Sequence, residues 1–368
     1  WYDLAMKRVE RNMNAEFNCI PFPFARAREF VPGIEQYTLN MVTGSSGIGK
    51  TQLTDYIFMY SAVAFALANP DKITVKIDDN SLEMAPEIKA IQAMCHHLYI
   101  KSNRLIRVSL KTMLSLNKKL DKDIFNLVKK EEAFYEKFYE IVNFKSGHVP
   151  PYSIYKDMYD FATANGTIHK EVVPYTYFDA TKHETVVANK EVFSGYTPND
   201  NNLYYLNITD HVALLAKQKD MDKRQTIEAY SQYMMSIRNM FGFIPVSVNQ
   251  QAADQEGKDN FKKPTLSGLG DNKATQRDYD YIFGIYDPLR HSTDNYRGWP
   301  VAKMNQRYRE FLVLKSRYGI SNLSTDLFYD GAVNFFAQLP KTDGALTEAD
   351  KKSIQDWINY SANLRLEV

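Results

Sequence analysis

The sequence predicts an α/β fold in which a largely parallel central sheet carries helices on both faces. Three observations support this prediction. A phosphate-binding loop pattern at residues 44–51 lies between a strand-like and a helix-like segment. Strand and helix patterns alternate along much of the remaining chain. Several short apolar segments also end in polar residues. Because ligands of open α/β sheets bind at the carboxyl ends of the strands, we expect a nucleotide to bind there.

The composition is that of a globular protein able to build a core. Of 368 residues, 44% are hydrophobic and 24% are charged. The net charge of +1 means that any nucleic-acid contact must come from local basic patches. Cys19 and Cys95 are too few for a disulfide framework or a zinc site. Because the sequence shows no signal peptide and no apolar run of about 18 residues, we expect a cytoplasmic protein without a membrane segment.

An amphipathic helix is predicted over residues 1–17. Its apolar stripe is formed by Tyr2, Met6, Val9 and Met13. A lone helix cannot bury such a stripe, so we expect it to pack on the body of the same chain or on a neighbouring subunit. A proline-containing link at residues 20–24 separates this helix from the first strand, which is predicted over residues 37–42.

That strand leads into the pattern G-x-x-x-x-G-K-[ST], which the sequence fits at every fixed position. Glycine lets the backbone wrap closely around a phosphate, and the loop N–H groups and the helix N-terminus favour the anion. Lys50 would contact the β- and γ-phosphates, and the Thr51 hydroxyl would bind Mg²⁺. Apolar or small residues three or four positions apart from Leu53 to Ala68 predict the helix that follows. The expected nucleotide-binding residues are Gly44, Ser45, Ser46, Gly47, Ile48, Gly49, Lys50 and Thr51.

The later elements alternate as an α/β sheet requires. Up to residue 202 we expect a strand at 73–77, helices to about residue 140, a short strand at 141–144, a helix over 154–164 capped by Ser153, and an inserted β-hairpin over 166–202. Beyond it we expect a strand at 203–208 that ends near Asp210, a helix over 225–240 capped by Gly242, and strands at 243–248, 281–285 and 311–314. Asp330-Gly331 predicts a further hairpin, and Thr347 with Asp350 predicts the start of a closing helix.

Two carboxylates stand where a nucleotide-hydrolysing site needs them. Asp210 ends an apolar strand, a position from which an acid orients Mg²⁺; an ordinary aspartate that caps a turn gives the same pattern. Glu83 follows the strand at 73–77 and is placed to polarise an attacking water. A glutamate that stabilises a helix N-terminus would occupy the same position. The spacing of these residues leaves both alternatives open.

Five segments in a fixed order carry a resemblance to a known family. They are Ser81-Leu82-Glu83-Met84, the strand ending at Asp210, the strand ending at Asn249-Gln250, the segment KKPTLSGLGDNKATQRDYDYIFGIYD at residues 262–287, and Lys315-Ser316-Arg317-Tyr318-Gly319. Together they resemble the C-terminal motor domain of DnaB-type replicative DNA helicases over roughly residues 30–340. In that family the corresponding segments read like SLEM, DYLQL, SQLNR, RPxLSDLRESGxIEQDAD and KQRNG.

The resemblance implies a RecA-like P-loop NTPase fold and a homo-oligomeric ring, usually a hexamer, around single-stranded DNA. It implies ATP and Mg²⁺ as ligands. Lys50 and Thr51 would bind the phosphates and the metal ion, and Asp210 would be the carboxylate that supports the metal ion.

The same resemblance implies the residues that carry out hydrolysis. Glu83 would be the catalytic base, and Gln250 would sense the γ-phosphate. Lys315 and Arg317 would reach the ATP of the neighbouring subunit, so that hydrolysis depends on assembly.

Two loops contact DNA in that family, and both face the channel of the ring. The first corresponds to residues 216–224 and the second to residues 252–263, and both are polar, basic and rich in turn residues. Phosphate contacts by such loops would give binding that depends on salt and not on sequence. The candidate contacts are Lys217, Lys219, Lys223, Arg224, Lys258, Lys262 and Lys263.

The chain also departs from the family pattern, and its divergence favours a phage-encoded member acting in a bacterial host cytoplasm. Residues 166–202 have no counterpart, the metal-binding strand continues as Asp-His-Val-Ala, and the sensor strand continues as Asn-Gln-Gln-Ala-Ala. Residues 1–17 stand in the place of a primase-binding N-terminal domain. We expect them to be the linker helix that docks on the next subunit.

Four parts are expected: a helix and linker over 1–29, the motor domain over 30–340, a C-terminal helix over 341–365, and the remnant of a cleavable tag at 366–368. The predicted function is an ATP-dependent DNA helicase that unwinds duplex during replication, with primase or a helicase loader as a further candidate partner. Two alternatives remain open. One is a RecA-type recombinase or a DNA-packaging ATPase, and the other is a scaffold or loader that uses ATP only to assemble on a replication partner.

Overall fold

A nine-stranded sheet forms the centre of the computed structural model, which describes residues 2–116, 118–251, 263–272 and 275–364. The strands of the described chain are β1 (Ile20–Pro21), β2 (Gly33–Ile34), β3 (Asn40–Gly44), β4 (Thr74–Ser81), β5 (Val142–Ser146), β6 (Gly166–Asp179), β7 (Glu184–Pro198), β8 (Leu203–Asp210), β9 (Ile244–Gln250), β10 (Tyr281–Tyr286), β11 (Tyr308–Ser316), β12 (Leu323–Asp330) and β13 (Phe335–Gln338). The order in the sheet is β13-β12-β11-β10-β3-β9-β8-β4-β5.

The six strands from β10 to β5 are parallel, and β11, β12 and β13 continue the sheet in antiparallel pairing. This arrangement confirms the predicted α/β fold with a largely parallel sheet. The hairpin predicted at Asp330-Gly331 joins β12 to β13, and Asp330 pairs with Phe335 across a loop that is longer than two residues.

Helices cover both faces of the sheet, as predicted. The α-helices of the described chain are α1 (Tyr2–Asn14), α2 (Lys50–Thr54), α3 (Ser61–Ala68), α4 (Pro86–Lys101), α5 (Leu110–Met113), α6 (Lys122–Lys130), α7 (Glu132–Ile141), α8 (Pro151–Ala164), α9 (Lys223–Phe241) and α10 (Glu348–Asn363). Apolar side chains of α2, α3, α4 and α7 pack on one face, and those of α8 and α9 pack on the other. A third cluster joins α10 to β12 and β13. None of the helices in the described ranges is long and apolar enough to span a membrane.

A π-helical turn, Asp55–Tyr60, joins α2 to α3. Such a turn has more residues than an α-helical turn, so it rotates the residues that follow around the helix axis. Leu53 and Ile57 are buried, but in α3 burial falls on Ala62 and not on Ser61. The spacing therefore predicts the helix correctly, but it does not predict which side of the second half faces the core.

The boundaries of α8 and α9 are explained by the residues at the helix ends. The predicted N-cap at Ser153 is wrong, because α8 begins at Pro151, where proline's fixed φ and missing N–H suit the first helical position. In front of α9, Asp222 accepts a hydrogen bond from the backbone N–H of Gln225, and the Gln225 side chain accepts one from the backbone N–H of Asp222. Gly242 ends this helix with a φ of +73°, as predicted.

The predicted insertion is a two-stranded antiparallel ribbon, β6–β7, that is separate from the main sheet. At its base the Asn199 N–H donates to the Asn165 carbonyl at 2.9 Å, and the Tyr196 hydroxyl donates to the Ala162 carbonyl at 3.2 Å. In its distal half, Val172 and Val187 are 64% and 69% exposed. The ribbon is therefore anchored at its base and open to solvent along most of its length.

The parallel strands give the sheet two edges. At the carboxyl edge, where these strands end, Gly44 pairs with Gln250 and Ser81 pairs with Asp210. The amino edge holds the starts of the same strands and the base of the ribbon. Because β11 runs antiparallel to β10, its end at Ser316 also lies at the amino edge.

Candidate functional site

The phosphate-binding loop follows β3 and enters α2 at the carboxyl edge. Gly47 and Gly49 have φ angles of +67° and +101°, a region that side chains rarely adopt. Lys50 is only 7% exposed, and its Nζ donates to the Ser45 carbonyl at 2.7 Å. The ammonium group is thus folded back over the loop. A loop of this shape at a helix N-terminus directs N–H groups at a bound anion.

Two arginine side chains from distant parts of the chain donate hydrogen bonds to backbone carbonyls of this loop. Arg309, on β11, donates from Nε to the Ile48 carbonyl at 2.8 Å, and its guanidinium lies 4.6 Å from the centre of the Tyr329 ring. Arg290 donates to the Ser46 carbonyl. Neither arginine was predicted from the sequence, because both lie more than 240 positions from the loop along the chain. The one signal available in the sequence is the charged pair Arg309-Glu310 directly before the apolar run at residues 311–314.

The two carboxylates predicted for hydrolysis lie at the ends of neighbouring strands. Asp210 ends β8 beside Ser81 of β4, and Glu83 follows two positions later. Asp210 is 2% exposed, and neither of its carboxylate oxygens accepts a hydrogen bond from any described residue. Glu83 is exposed at the edge. A buried carboxylate without a donor is costly, and a bound cation removes that cost.

The residues present fit Mg²⁺. This ion takes oxygen ligands and is commonly held by one or two carboxylates together with substrate phosphates and water. Asp210 offers an unsatisfied buried carboxylate, and Thr51 offers a hydroxyl in the first turn of α2. Within the described ranges, no three His, Cys, Asp or Glu side chains are grouped so that they could hold a metal ion by themselves.

Gln250 lies at the end of β9, in register with the first glycine of the loop. Its Oε1 is 3.3 Å from Nε2 of His211, which is joined to Asp210 by a cis peptide bond. Burial lowers the pKa of His211, and the nearby charge of Lys50 lowers it further. An imidazole that is neutral at neutral pH therefore lies between the carboxylate of Asp210 and the amide of Gln250. In the sequence, His211 is only a departure from the family pattern.

A cavity of about 370 Å³ opens beside the phosphate-binding loop. Its walls include Gly47 of the loop, Gln92 of α4, Arg107, Tyr329 and Asn334. This volume lies in the range of small-molecule sites, and the position suits the nucleoside part of a nucleotide. A larger cavity, of about 710 Å³, lies between α1 and the amino edge, but none of the motif residues lines it.

The predicted trans-acting cations lie at the opposite edge from the loop of their own chain. On β10, Tyr281 pairs with Ser316, and Ile285, whose carbonyl lies beside Gly44, comes four positions later. At a strand rise of 3.3 Å per residue, this separation is about 13 Å. Lys315 and Arg317 therefore do not reach their own phosphate-binding loop.

Both cations are held by their own chain. The Lys315 Nζ donates to the Gln276 carbonyl at 2.6 Å, and the Arg317 Nε lies 3.0 Å from Oδ1 of Asp280. The Arg317 Nη2 also donates to the Arg277 carbonyl at 3.1 Å. Burial lowers the pKa of Lys315, and the neighbouring charge of Arg317 adds to this effect. Asp280 is fully buried, so it gives the Arg317 side chain a fixed support.

The first predicted DNA-contacting loop connects β8 to α9 at the carboxyl edge. Lys217 and Lys219 are exposed. Lys223 donates to the Leu215 carbonyl at 2.7 Å, and burial lowers its pKa. Arg224 is exposed and pairs with a glutamate one helical turn later at 3.0 Å. The loop thus presents Lys217 and Lys219 to solvent most directly.

The second predicted loop lies mostly outside the described residues, and so do Lys258 and Lys262. At its end, Lys263 is exposed, and its Nζ lies 3.1 Å from a carboxylate oxygen of Glu310. The same ammonium group lies 5.0 Å from the centre of the Tyr296 ring. Lys263 is thus oriented by its own chain while remaining open to solvent.

Solved structures share this architecture. A solved ATPase domain matches with a TM-score of 0.64 and 12% sequence identity, over 92% of this chain and 99% of that chain. A DnaB-like replicative helicase, from a structure that also reports its interactions with primase, matches with a TM-score of 0.63 and 12% identity, over 90% of this chain and 66% of that chain. No protein-family model matches the chain, and no curated protein matches it significantly. The fold is that of a DnaB-type helicase motor domain, as the motifs predict.

Proposed function

We propose that this chain is an ATP-dependent DNA helicase motor that hydrolyses ATP at interfaces between its own copies. It would translocate on single-stranded DNA and unwind duplex during replication. One observation supports this more than any other: the predicted hydrolytic residues are divided between the two edges of the sheet. Lys50, Glu83 and Asp210 lie at the carboxyl edge, whereas Lys315 and Arg317 lie at the amino edge. One chain therefore carries halves of two different sites.

The residues of the carboxyl edge have separate roles. The loop N–H groups and Lys50 bind the phosphates, and Thr51 and Asp210 hold Mg²⁺, which neutralises phosphate charge when bound. Glu83 is exposed beside this position and accepts a proton from the attacking water. Gln250 is in register with the loop, so its amide is placed to respond to the γ-phosphate.

The amino edge of a second copy completes the site. Arg317 is always charged, and its planar group suits the charge that develops on the transferred phosphoryl group. A trans-acting arginine contributes on the order of 10³-fold or more to hydrolysis. Because Asp280 and the Arg277 carbonyl hold this side chain, it is oriented before the copies meet. Hydrolysis then requires assembly into a ring, for which we propose six copies.

The first of the proposed DNA-binding loops follows Asp210 at the carboxyl edge. Lys217 and Lys219 follow Asp210 by seven and nine positions and are exposed. Backbone phosphate contacts by them would be sequence-independent and would weaken as salt rises. Lys223, Arg224, Lys258, Lys262 and Lys263 remain proposed contacts on the same grounds. A primase or a helicase loader is the proposed protein partner, since a structural neighbour is described with primase.

A mixing experiment tests the shared site. Lys50→Ala removes the phosphate contact and Arg317→Ala removes the trans-acting cation, so each variant alone should lose ATP turnover in the presence of single-stranded DNA. In an equal mixture, a site is intact where an Arg317→Ala subunit supplies the loop and a Lys50→Ala subunit supplies the arginine. Random closed assembly makes about a quarter of the sites intact, so turnover should recover toward that fraction of the unmodified rate.

The outcomes are separable. No recovery on mixing, with both variants folded and assembling normally, would refute the shared site. Arg317→Ala should still bind ATP, and an equal loss of binding would indicate a folding defect. Strand displacement on a forked duplex distinguishes a helicase from a recombinase or packaging ATPase. Stimulation of turnover by single-stranded DNA distinguishes it from a scaffold or loader.

A further inference from the structure

Lys89, on α4, carries an ammonium group that is buried within the chain. Its side chain is 1% exposed, and Nζ lies 2.7 and 2.9 Å from the two carboxylate oxygens of Asp55. Oδ2 of Asp79 is 3.1 Å from the same nitrogen. The side chains of Asp55 and Asp79 are 1% and 0% exposed. The three residues, called here the lysine triad, have no part in the roles assigned above.

Stability alone does not account for the triad. Removing two carboxylates and an ammonium group from water is expensive, and apolar residues of similar volume often serve the fold equally well. Directed contacts between charged groups do supply something that apolar packing does not, which is a defined geometry. We therefore looked for the role of the triad in the relative position of the elements that it connects.

The triad joins two parts of the carboxyl edge, the segment that carries Glu83 and the helix that follows the phosphate-binding loop. Asp79 lies on β4 and Lys89 on α4, so their contact closes the base of the segment that carries Glu83. Asp55 lies one helical turn after Thr51, in the π-helical continuation of the helix that begins at the phosphate-binding loop. One ammonium group thus fixes the Glu83 segment against the helix of the loop.

Charge keeps this contact in place. Burial alone would lower the pKa of Lys89, but the carboxylates of Asp55, Asp79 and Asp210 raise it well above its ordinary value. The lysine is therefore protonated throughout the neutral range. The ammonium group is held in the site by its ion pairs with Asp55, at 2.7 Å, and with Asp79, at 3.1 Å.

We propose that Lys89 is a positioning residue that sets where Glu83 stands relative to the phosphate-binding loop. The proposal rests on the proposed function of Glu83 as the base. A carboxylate displaced by about 1 Å from its working position loses on the order of tenfold to a hundredfold in rate, while the phosphate contacts that hold ATP are unaffected. The triad would thus act on turnover and not on nucleotide binding.

The test replaces the whole triad, so that no charge is left buried and unpaired. The variant Lys89→Met/Asp55→Leu/Asp79→Val removes the directed contacts but keeps the volume. We would measure thermal unfolding, sedimentation, binding of a fluorescent ATP analogue, and kcat and KM with single-stranded DNA. Lys101→Met is the matched control, because it makes the same substitution at an exposed ion pair on the same helix.

Each substitution is then repeated in a Glu83→Gln background. If the triad acts through Glu83, the triple variant lowers kcat on the order of tenfold or more with Glu83 present, and by less than about twofold in the Glu83→Gln background. Analogue binding and KM stay unchanged, and Lys101→Met behaves like the unmodified chain. A purely structural role predicts full kcat in a well-folded triple variant, and that result would overturn the proposal.

Two further results are informative. An equal loss of kcat in both backgrounds shows that the triad does not act through Glu83, and it also overturns the proposal. Unchanged turnover in Glu83→Gln alone refutes the proposed base, which is a failure of the proposed function.

If the triple variant does not fold, Asp79→Asn keeps the Asp55–Lys89 pair and weakens only the contact at the base of the Glu83 segment. Here too, kcat should fall with binding unchanged, and an unchanged kcat would overturn the proposal.

Discussion

At the scale of single residues, the carboxyl edge concentrates buried charge that packing alone does not favour. Asp210 is buried without a hydrogen-bond donor among the described residues, and Lys89 is buried between Asp55 and Asp79. Such groups are costly unless an opposite charge offsets them. A site whose ligand brings Mg²⁺ supplies the missing positive charge, so the unliganded edge is expected to be less stable than the liganded one.

Asp55 gives a pH dependence that can be measured without nucleotide or Mg²⁺. Burial raises the pKa of Asp55 from 3.8 to about 7, even though Lys89 acts in the opposite direction. The folded chain therefore holds a proton that the unfolded chain releases. The resulting stabilisation is fully present below the unfolded pKa and is lost as pH rises through the folded value.

Urea unfolding of the unmodified chain and of Asp55→Asn, at several pH values between about 4 and 8, tests this prediction. The free energy of unfolding of the unmodified chain should decline more across that range than that of Asp55→Asn. The difference between the two chains isolates Asp55 from other titrating groups. Parallel curves would show that Asp55 has an ordinary pKa.

At the scale of elements, the sheet and the ribbon differ in how much of their surface is buried. The strands from β10 to β5 are covered on both faces, whereas the ribbon of β6 and β7 has its distal side chains in solvent. A two-stranded ribbon is only marginally stable by itself. The contacts of Tyr196 at the base, including a ring 5.0 Å from that of Phe241, attach it to the body.

Shortening the ribbon should therefore leave the body intact. Lys170 and Phe193 are paired, so an Asn-Gly turn can replace residues 171–192 between them. We expect the midpoint of thermal unfolding to stay within about 4 °C and ATP binding to be unchanged, because the base contacts remain. A fall of about 10 °C or more would show that the distal ribbon supports the fold. Loss of strand displacement with ATP binding intact would assign the ribbon to a partner or to assembly.

At the scale of the whole molecule, the proposed function requires that another copy complete the site. The two edges hold complementary parts of the proposed hydrolytic site, and α1 adds a surface suited to contact. On this helix Tyr2 is 76% exposed, Val9 is 47% exposed and Met13 is 78% exposed. The alternative of packing on the body of the same chain leaves these side chains open. In the proposed ring, a neighbouring copy would cover these side chains.

Charge placed on this stripe should weaken assembly and leave the fold unchanged. We expect Val9→Glu/Met13→Glu to lower the sedimentation coefficient in the presence of an ATP analogue, because two carboxylates would have to be buried in an apolar contact. The control is Gln355→Glu/Asn363→Glu, which adds the same charge at exposed positions of α10. Thermal unfolding of the two variants should be similar. Unchanged assembly of the first variant would exclude α1 from the contact.

Much of the fold could be predicted because its signals are local. The glycine pattern of the loop, the three- and four-residue spacing in α9, and the turn residues around the ribbon depend on backbone geometry within a few positions. The predicted strands therefore exist with boundaries shifted by a few residues. The start of α8 was wrong because proline and serine both favour helix N-termini, and the sequence alone did not choose between them.

The sequence by itself determined that a phosphate-binding loop, two acids and an amide stand at strand ends, because each of these is a pattern of neighbouring residues. Only the tertiary structure decided which distant side chains meet them. Arg309 reaches Ile48 from β11, Lys89 joins α4 to the helix of the loop, and the antiparallel course of β11 carries Arg317 to the far edge. The physical reason is that strand order and helix packing depend on long-range burial, which no local period encodes.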